Sequence, residues 1–378
     1  MSSINARRPA ARRQKSERGV ALLMVVMLVT LVTAVVSDFQ YSSQVDVELA
    51  YHARDDLQAE QNALSALRFR ALLLKQARTL QTLVKAISGG VGQPPPIASI
   101  MELIPVECGL LSALMHSDGD EPGDFFEGDC WSTSESEHAK IAINLLSTPQ
   151  SSQSVGLMLL GLLRNPSLQH HFEQDDRSGQ HADSPLLLVQ GIADWIDADH
   201  AGQGNLGDED RFYQSMDPPY RSKNAPLDSV AELQLVHGIG DALYDVLKDR
   251  VSVYSSSQQI ELATASMPTV LGNLAGAIGS LEALEAYYGA APALEARLTM
   301  LRSLGPMVPL TLSMLKLALT DVGLLSLVDL TKLSSIFTDG SSSTWYTVRA
   351  EGQVGRASRK LRMVFQADEG IFYYARVE

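Results

Sequence analysis

From Val20 to Ile87 the chain has neither proline nor glycine, and from Gly19 to Ser37 it has no charge. The first absence removes the two residues that most readily interrupt a helix. The second removes every group that would hold those residues in water. Cysteine is almost missing. Cys108 and Cys130 stand alone, and no Cys/His set has zinc spacing, which excludes a zinc-ribbon or multi-disulfide scaffold. In an oxidising compartment the two could pair, and two buried free thiols fit the spacing as well. Positive charge is scarce beyond the N-terminus: residues 19–378 hold 24 bases against 43 acids. Such a surface repels nucleic-acid phosphates and anionic headgroups and attracts cations. A nucleophile elbow is missing, and His170-His171 lacks the flanks of a metal hydrolase site. These absences point away from an enzyme.

The start of the chain carries Arg7, Arg8, Arg12, Arg13, Lys15 and Arg18 against a single acid, Glu17. As a helix, residues 19–37 reach about 28 Å, roughly one bilayer core. The basic flank is expected to stay cytoplasmic, with everything after Asp38 exported. A signal anchor or single-pass helix fits this span equally. The Arg18-Gly19 junction, however, lies before the apolar run, whereas a secretory signal is cut after it. That placement resembles a type IV prepilin leader, with cleavage between Gly19 and Val20.

The helix is expected to run on to Ile87, with Leu57, Leu64, Leu67, Ala71, Leu74, Leu80, Leu83 and Ile87 packing on a globular head. Ser88-Gly89-Gly90 and Pro94-Pro95-Pro96 stop it. A short amphipathic helix is expected over 97–117 and an acidic loop over 118–129. A strand is expected over 138–145, mainly helix over 148–257, and a strand over 258–265. Helices over 268–335 should break near Gly289 to Pro292 and at Gly305-Pro306. A closing antiparallel meander covers 344–350, 361–366 and 371–377, with turns at Gly352, Gly355 and Gly370. The expected organisation is a leader (1–19), a transmembrane and stem helix (20–88), and a first part of the head (97–147). An inserted α-helical domain (148–257) and a second part of the head (258–378) follow.

Residues 189–240 are the most specific stretch. Asp194-Trp195-Ile196-Asp197 is followed by Gly207-Asp208-Glu209-Asp210, then Asp217-Pro218-Pro219-Tyr220-Arg221, then Glu232-Leu233 and Val236-His237-Gly238-Ile239. This series closely resembles the K-type minor pseudopilins of the type II secretion system. Arg18-Gly19-Val20-Ala21-Leu22, Lys140 to Leu145 and Tyr346 to Glu351 are similar to their start, an inner strand and their last sheet. The resemblance implies an α+β pseudopilin fold: a long N-terminal helix, a small antiparallel sheet and a large inserted α-helical domain. It implies a non-enzymatic tip subunit, single-pass in the inner membrane with a periplasmic head. Prepilin peptidase would process it, Val20 would be N-methylated, and I-, J- and H-type minor pseudopilins would be its partners. Met24, fifth after the cleavage point, stands where major pilins place a glutamate. The K-type family characteristically lacks that carboxylate.

Glu173 to Asp217 holds eleven acids against Arg177 and Arg211. Calcium takes six to eight oxygens, and Gly202, Gly204 and Gly207 allow a loop that returns Asp208, Glu209 and Asp210 towards Asp197 and Asp199. A solvated acidic face is an equally good reading of the residues. The resemblance adds a structural calcium, with Asp197, Asp199, Asp208, Glu209, Asp210 and Asp217 as candidate ligands. Val236 to Gly240 also resembles the glycine hairpin of helix-hairpin-helix DNA binders, which supports an alternative: a membrane-anchored DNA-binding protein of the envelope. Asp241, Asp245 and Asp249 would repel a phosphate there, so no nucleic acid is expected.

Overall fold

The computed structural model describes residues 17–87, 97–115, 126–172, 184–200, 202, 210–304, 308–340 and 343–377. Helix α1 (Glu17–Ile87) is unbroken. Its span Gly19–Val84 has a mean hydropathy of 2.8 in its most apolar part, none of it buried, and is long and apolar enough to cross a membrane. The C-terminal half of α1 lies across a five-stranded antiparallel sheet of order β1-β2-β7-β8-β9. The strands are β1 (Val106–Glu107), β2 (Asp129–Ser136), β7 (Trp345–Val354), β8 (Ala357–Gln366) and β9 (Ile371–Val377). Helices α2 (Ile97–Leu103) and α3 (Cys108–Met115) flank β1.

The face of α1 that packs is mostly alanine. Ala59, Ala63, Ala66, Leu67, Ala71, Leu74 and Ala77 are buried, whereas Leu57, Leu80, Leu83 and Ile87, expected at the head, are exposed. The reason is the close approach of β7. Gly352, expected in a turn, lies inside that strand, and a Cβ on it would stand 2.0 Å from the Ala59 carbonyl oxygen. Only a small-residue stripe opposite a glycine lets strand and helix meet at that distance. Arg70, fully buried on the same face, donates to the carbonyls of Met101 (2.9 Å) and Ser132 (2.7 Å). Burial holds its pKa down to about 10, against the pull of Glu102.

The second unit is helical. It contains α4 (Ser152–Leu163), α5 (Pro185–Ile196), α6 (Asp210–Tyr213), α7 (Asp241–Leu247), α8 (Met267–Gly276), α9 (Leu281–Arg302), α10 (Leu312–Asp321) and α11 (Leu330–Ile336). Short parallel pairs join β3 (Ile141–Ala142) to β4 (Val251–Ser252) and β5 (Ile260–Glu261) to β6 (Phe337–Thr338). One apolar core runs from Ala139 to Phe337, and a separate one joins α1 to residues 106–130 and 346–367. Residues 258–337, expected in the head, therefore share the core of the helical unit. Gly161 and Gly276 let α4 and α8 touch: a Cβ on Gly161 would meet the Gly276 nitrogen at 2.6 Å.

Other expectations need correction. Pro105 and the strand after it divide the helix expected over 97–117. The strand expected over 138–145 is two residues of β3 between 3₁₀ turns, and that over 258–265 shrinks to Ile260–Glu261. The longer strand is β2, just before, which sits between β1 and β7. Helix α9 runs through Pro292 without breaking. Residues 1–16, Gly305-Pro306 and most of the acidic loop lie outside the described residues. The Sγ atoms of Cys108 and Cys130 are bonded, with Cα atoms 4.9 Å apart.

Candidate functional site

Helix α5 opens at Ser184, whose hydroxyl accepts from the Leu187 amide, with Pro185 in its first turn. Leu188, Val189, Ile192, Ala193, Trp195 and Ile196 bury its apolar face, and Asp197 closes it. Trp195 meets Tyr213 edge-on at 5.1 Å and Tyr220 at 6.2 Å. Those rings hold the segment after Asp217-Pro218 against the end of α5, and the Asn224 amide donates to the Trp195 carbonyl at 3.0 Å.

Three acids collect around that segment. Asn224, at a φ of 49°, donates through Nδ2 to the Asp199 carbonyl (2.5 Å) and faces His200 Nδ1 at 2.6 Å. Asp210 Oδ1 accepts from the Ser222 amide (2.9 Å) and hydroxyl (3.0 Å). These bonds, the amide first, hold the Asp210 carboxyl below the usual range. Asp197 and Asp199 also line a cleft of 530 Å³ between α4 and α5, floored by Leu157, Leu160 and Val189. Among the described residues lining it there is no His, Cys or Lys. Asp217 is exposed, and Asp208 and Glu209 lie outside the described residues. Among the described residues no three His, Cys, Asp or Glu side chains form a metal cluster. The oxygen donors present nevertheless suit a hard cation. Asn224 Oδ1 is buried and has no hydrogen-bond partner among the described residues. The sequence reading missed Asn224, Ser222 and His200. The usable signal was an asparagine shortly after Pro-Pro-Tyr, because asparagine tolerates a positive φ.

The glycine hairpin serves internal packing. The His237 ring lies 3.6 Å from that of Phe212, its amide is 3.3 Å from Tyr213 Oη, and Gly238 takes a φ of 84°. Gln234 reaches the Asp241 carboxylate at 3.3 Å at the start of α7.

Between the two cores lies a buried polar seam. Lys140 is held by Glu137 (2.9 Å) and Glu135 (3.4 Å), and Thr347 of β7 donates to Glu137 at 2.6 Å. Burial alone would raise the Glu137 carboxyl, but Lys140 and the hydroxyl donors outweigh it and hold it low. Nearby, Glu102 accepts from the Ser136 amide, and the Ser136 hydroxyl donates to Glu261 at 3.3 Å. Burial, with Glu261 beside it, raises the Glu102 carboxyl well above the ordinary range. The head and the helical unit are therefore joined by paired charges as well as apolar contact.

A membrane-length helix runs without a break into a small antiparallel sheet, and a larger helical unit is spliced between strands of that sheet. This is a mixed α+β architecture. Within it, residues 158–256 match the family model described as "Type II secretion system (T2SS), protein K". The Type II secretion system protein K of Pseudomonas aeruginosa is 37% identical over 87 residues, 22% of this chain and 26% of that protein. That of Pectobacterium carotovorum is 36% identical over 66 residues, covering 18% and 20%. The putative protein K of Escherichia coli K12 is 39% identical over 71 residues, covering 19% and 21%. The matched stretch is thus about a quarter or less of each relative's length. The crystal structure of the GspK-GspI-GspJ complex from enterotoxigenic Escherichia coli aligns at a TM-score of 0.47 and 16% identity. It covers 80% of this chain and 98% of that one, too loose a likeness to carry an argument.

Proposed function

We propose that this chain is a non-enzymatic minor pseudopilin at the tip of the type II secretion pseudopilus, where it starts assembly and caps the filament. The observation that carries this reading is the joining, in one chain, of a protein K segment to a helix of membrane length. The helix anchors the chain in the inner membrane, with the N-terminus cytoplasmic and the head periplasmic. Prepilin peptidase cuts between Gly19 and Val20. The mature chain then has Met24 at its fifth position, where a glutamate would neutralise the α-amine of a neighbouring subunit. An unpaired charge in an apolar filament core costs roughly several kcal/mol. A subunit without that carboxylate suits the one place where none lies ahead. The helical unit adds bulk that blocks further stacking. I- and J-type minor pseudopilins join it through their N-terminal helices, and an H-type subunit links them to the shaft.

Calcium in the helical unit has a structural role in this reading. Carboxylates drawn from Asp197, Asp199, Asp208, Glu209, Asp210 and Asp217, with the Asn224 side-chain oxygen as a further donor, would supply its oxygens and bind a loop poor in apolar residues. Co-purification of the full chain with I- and J-type subunits tests the proposal. Failure to recover either partner from a membrane that contains all three overturns it. Mass spectrometry of the mature N-terminus tests processing, and a chain still starting at Met1 beside active peptidase contradicts it.

A further inference from the structure

The outer face of the head sheet carries an ordered row of arginines. Arg349 of β7 lies opposite Arg362 of β8, and Arg362 lies opposite Arg376 of β9. Tyr346, Val348 and Ala350 of β7 and Leu361 and Phe365 of β8 belong to the core against α1. Strand alternation therefore puts the three arginines on the opposite face. Directly opposed residues stand about 5 Å apart at Cβ, and like charges so placed repel. At one end Glu135 meets Arg349 at 3.3 Å, and Asp249 of the helical unit stands 4.0 Å from it. Among the described residues no carboxylate forms an ion pair with Arg362, the middle of the row. Three opposed cations in a chain of net charge −14 are a local reversal of sign.

Among the described residues, the other end of the row is an open edge. β9 is the last strand of the sheet, all seven of its residues are exposed, and it has no proline, glycine or lysine. Edge strands are usually shortened, covered or blunted by such residues, because their free amides and carbonyls template another strand. An aromatic shelf runs beside it: Trp345 stacks on Tyr254 at 5.4 Å and meets Tyr373 at 4.8 Å. Tyr374 lies opposite Val364, two register positions from the Arg362–Arg376 pair.

We propose that the β9 edge and the arginine row together receive an extended, acidic segment of a partner polypeptide. The segment adds as a further strand along β9. Its alternate carboxylates lie beside Arg376, and Arg362 reaches them from the neighbouring strand. Backbone pairing gives the affinity, and the charges select the partner and its register. This surface is separate from the acidic segment near Asp199 and does not depend on the secretion reading.

The test uses the full chain in detergent and a fluorescein-labelled ten-residue peptide alternating glutamate and valine. Fluorescence anisotropy should show binding of this peptide, and binding at least tenfold weaker for the same peptide with glutamine in place of glutamate. Arg362→Glu with Arg376→Glu should weaken the acidic peptide at least tenfold. Arg362→Gln with Arg376→Gln, a milder pair, should weaken it in the same direction while the melting temperature stays unchanged. Lys316→Glu on α10 should leave it unaffected. Methylating alternate peptide nitrogens should abolish binding on the paired edge. No binding, equal binding of the two peptides, or undiminished binding by both arginine variants overturns the proposal. Row-dependent binding of phosphatidylglycerol vesicles in place of the peptide overturns it in favour of a lipid headgroup.

Discussion

Replacing Gly352 with alanine tests the idea that the head is seated on α1 by backbone contact. The new methyl would stand 2.0 Å from the Ala59 carbonyl oxygen and 2.7 Å from the Ala63 nitrogen. Ordinary contact begins at roughly 3.4 Å, so strand and helix must part by about 1.4 Å at this point. A gap of ~0.5–1 Å already forfeits a quarter to a half of the dispersion between facing atoms. The loss extends along Ala59, Ala63, Ala66 and Leu67 against Val348 and Ala350. Overpacking typically costs ~1–3 kcal/mol, and a clash with main chain, which has no rotamer to turn, belongs at the top of that range. A loss of about 3 kcal/mol lowers the melting temperature by roughly 6–12 °C in a unit of this size. The assay is thermal unfolding of the full chain in detergent, followed by far-ultraviolet circular dichroism. Gly109→Ala is the control, because nothing lies within 4 Å of a Cβ there. Adding Ala59→Gly should not rescue Gly352→Ala, because the obstructing atom is a carbonyl oxygen that glycine keeps. A Gly352→Ala protein within about 0.5 kcal/mol of the parent would refute the reasoning.

Three further outcomes are expected. Cys108→Ser with Cys130→Ser opens a loop of 22 residues' separation and should cost about 3 kcal/mol on the chain-entropy account. Equal melting of the parent with and without reductant would speak against it. Burial first, then Arg78, holds the His138 imidazole down to about 4. The unfolded chain takes up that proton first, near pH 6.5. Stability should therefore fall as pH drops from about 6.5 to 4, by at most ~3 kcal/mol, and His138→Gln should flatten that limb. An unchanged acid limb in the variant is the contrary result. Calcium added to chelated protein should raise the melting temperature more than magnesium does, and Asp208→Asn, Glu209→Gln and Asp210→Asn together should remove the gain. A triple variant that responds as the parent does would place any calcium elsewhere.

The stem and the closing strands were legible because their signals are local. The stem has no helix breaker, and 344–350 alternates, with Tyr346, Val348 and Ala350 facing one side. What escaped the reading depended on partners distant in sequence. Leu67, Ala71 and Leu74 pack on the head as their spacing indicates, but Leu57, Leu80, Leu83 and Ile87 do not, and alanines make up the rest of the contact because the strand opposite is at its thinnest at Gly352. Strand β2, Asp-Cys-Trp-Ser-Thr-Ser-Glu-Ser, looks like a polar loop. Its buried serines are satisfied from elsewhere: the Ser132 hydroxyl bonds the Ala66 carbonyl, and the Ser136 amide bonds Glu102. Helix α9 keeps its course through Pro292 because its Leu284, Leu294 and Leu298 are buried in the larger core. At the acidic segment, the carboxylates were visible as composition. The residues that organise Asp199 and Asp210, Asn224 and Ser222, are uncharged and lie more than ten residues further along the chain, so no acidic pattern marks them.

The unbroken course of α1 has a mechanical consequence. At 1.5 Å per residue its 71 residues measure about 106 Å. The head grips it from Ala59 to Ala77, by the Gly352 contact and the Arg70 clamp. No proline or glycine follows Gly19 within it, so it offers no built-in joint to absorb motion. A push of one helical pitch at its apolar end moves the head by the same ~5.4 Å. A tilt of about 10° at that end swings the far end through roughly 18 Å, the sine of that angle times the length. The helix thus works as a pushrod along its axis and as a boom across it. Where the head comes to rest is set by the direction in which the buried end is held.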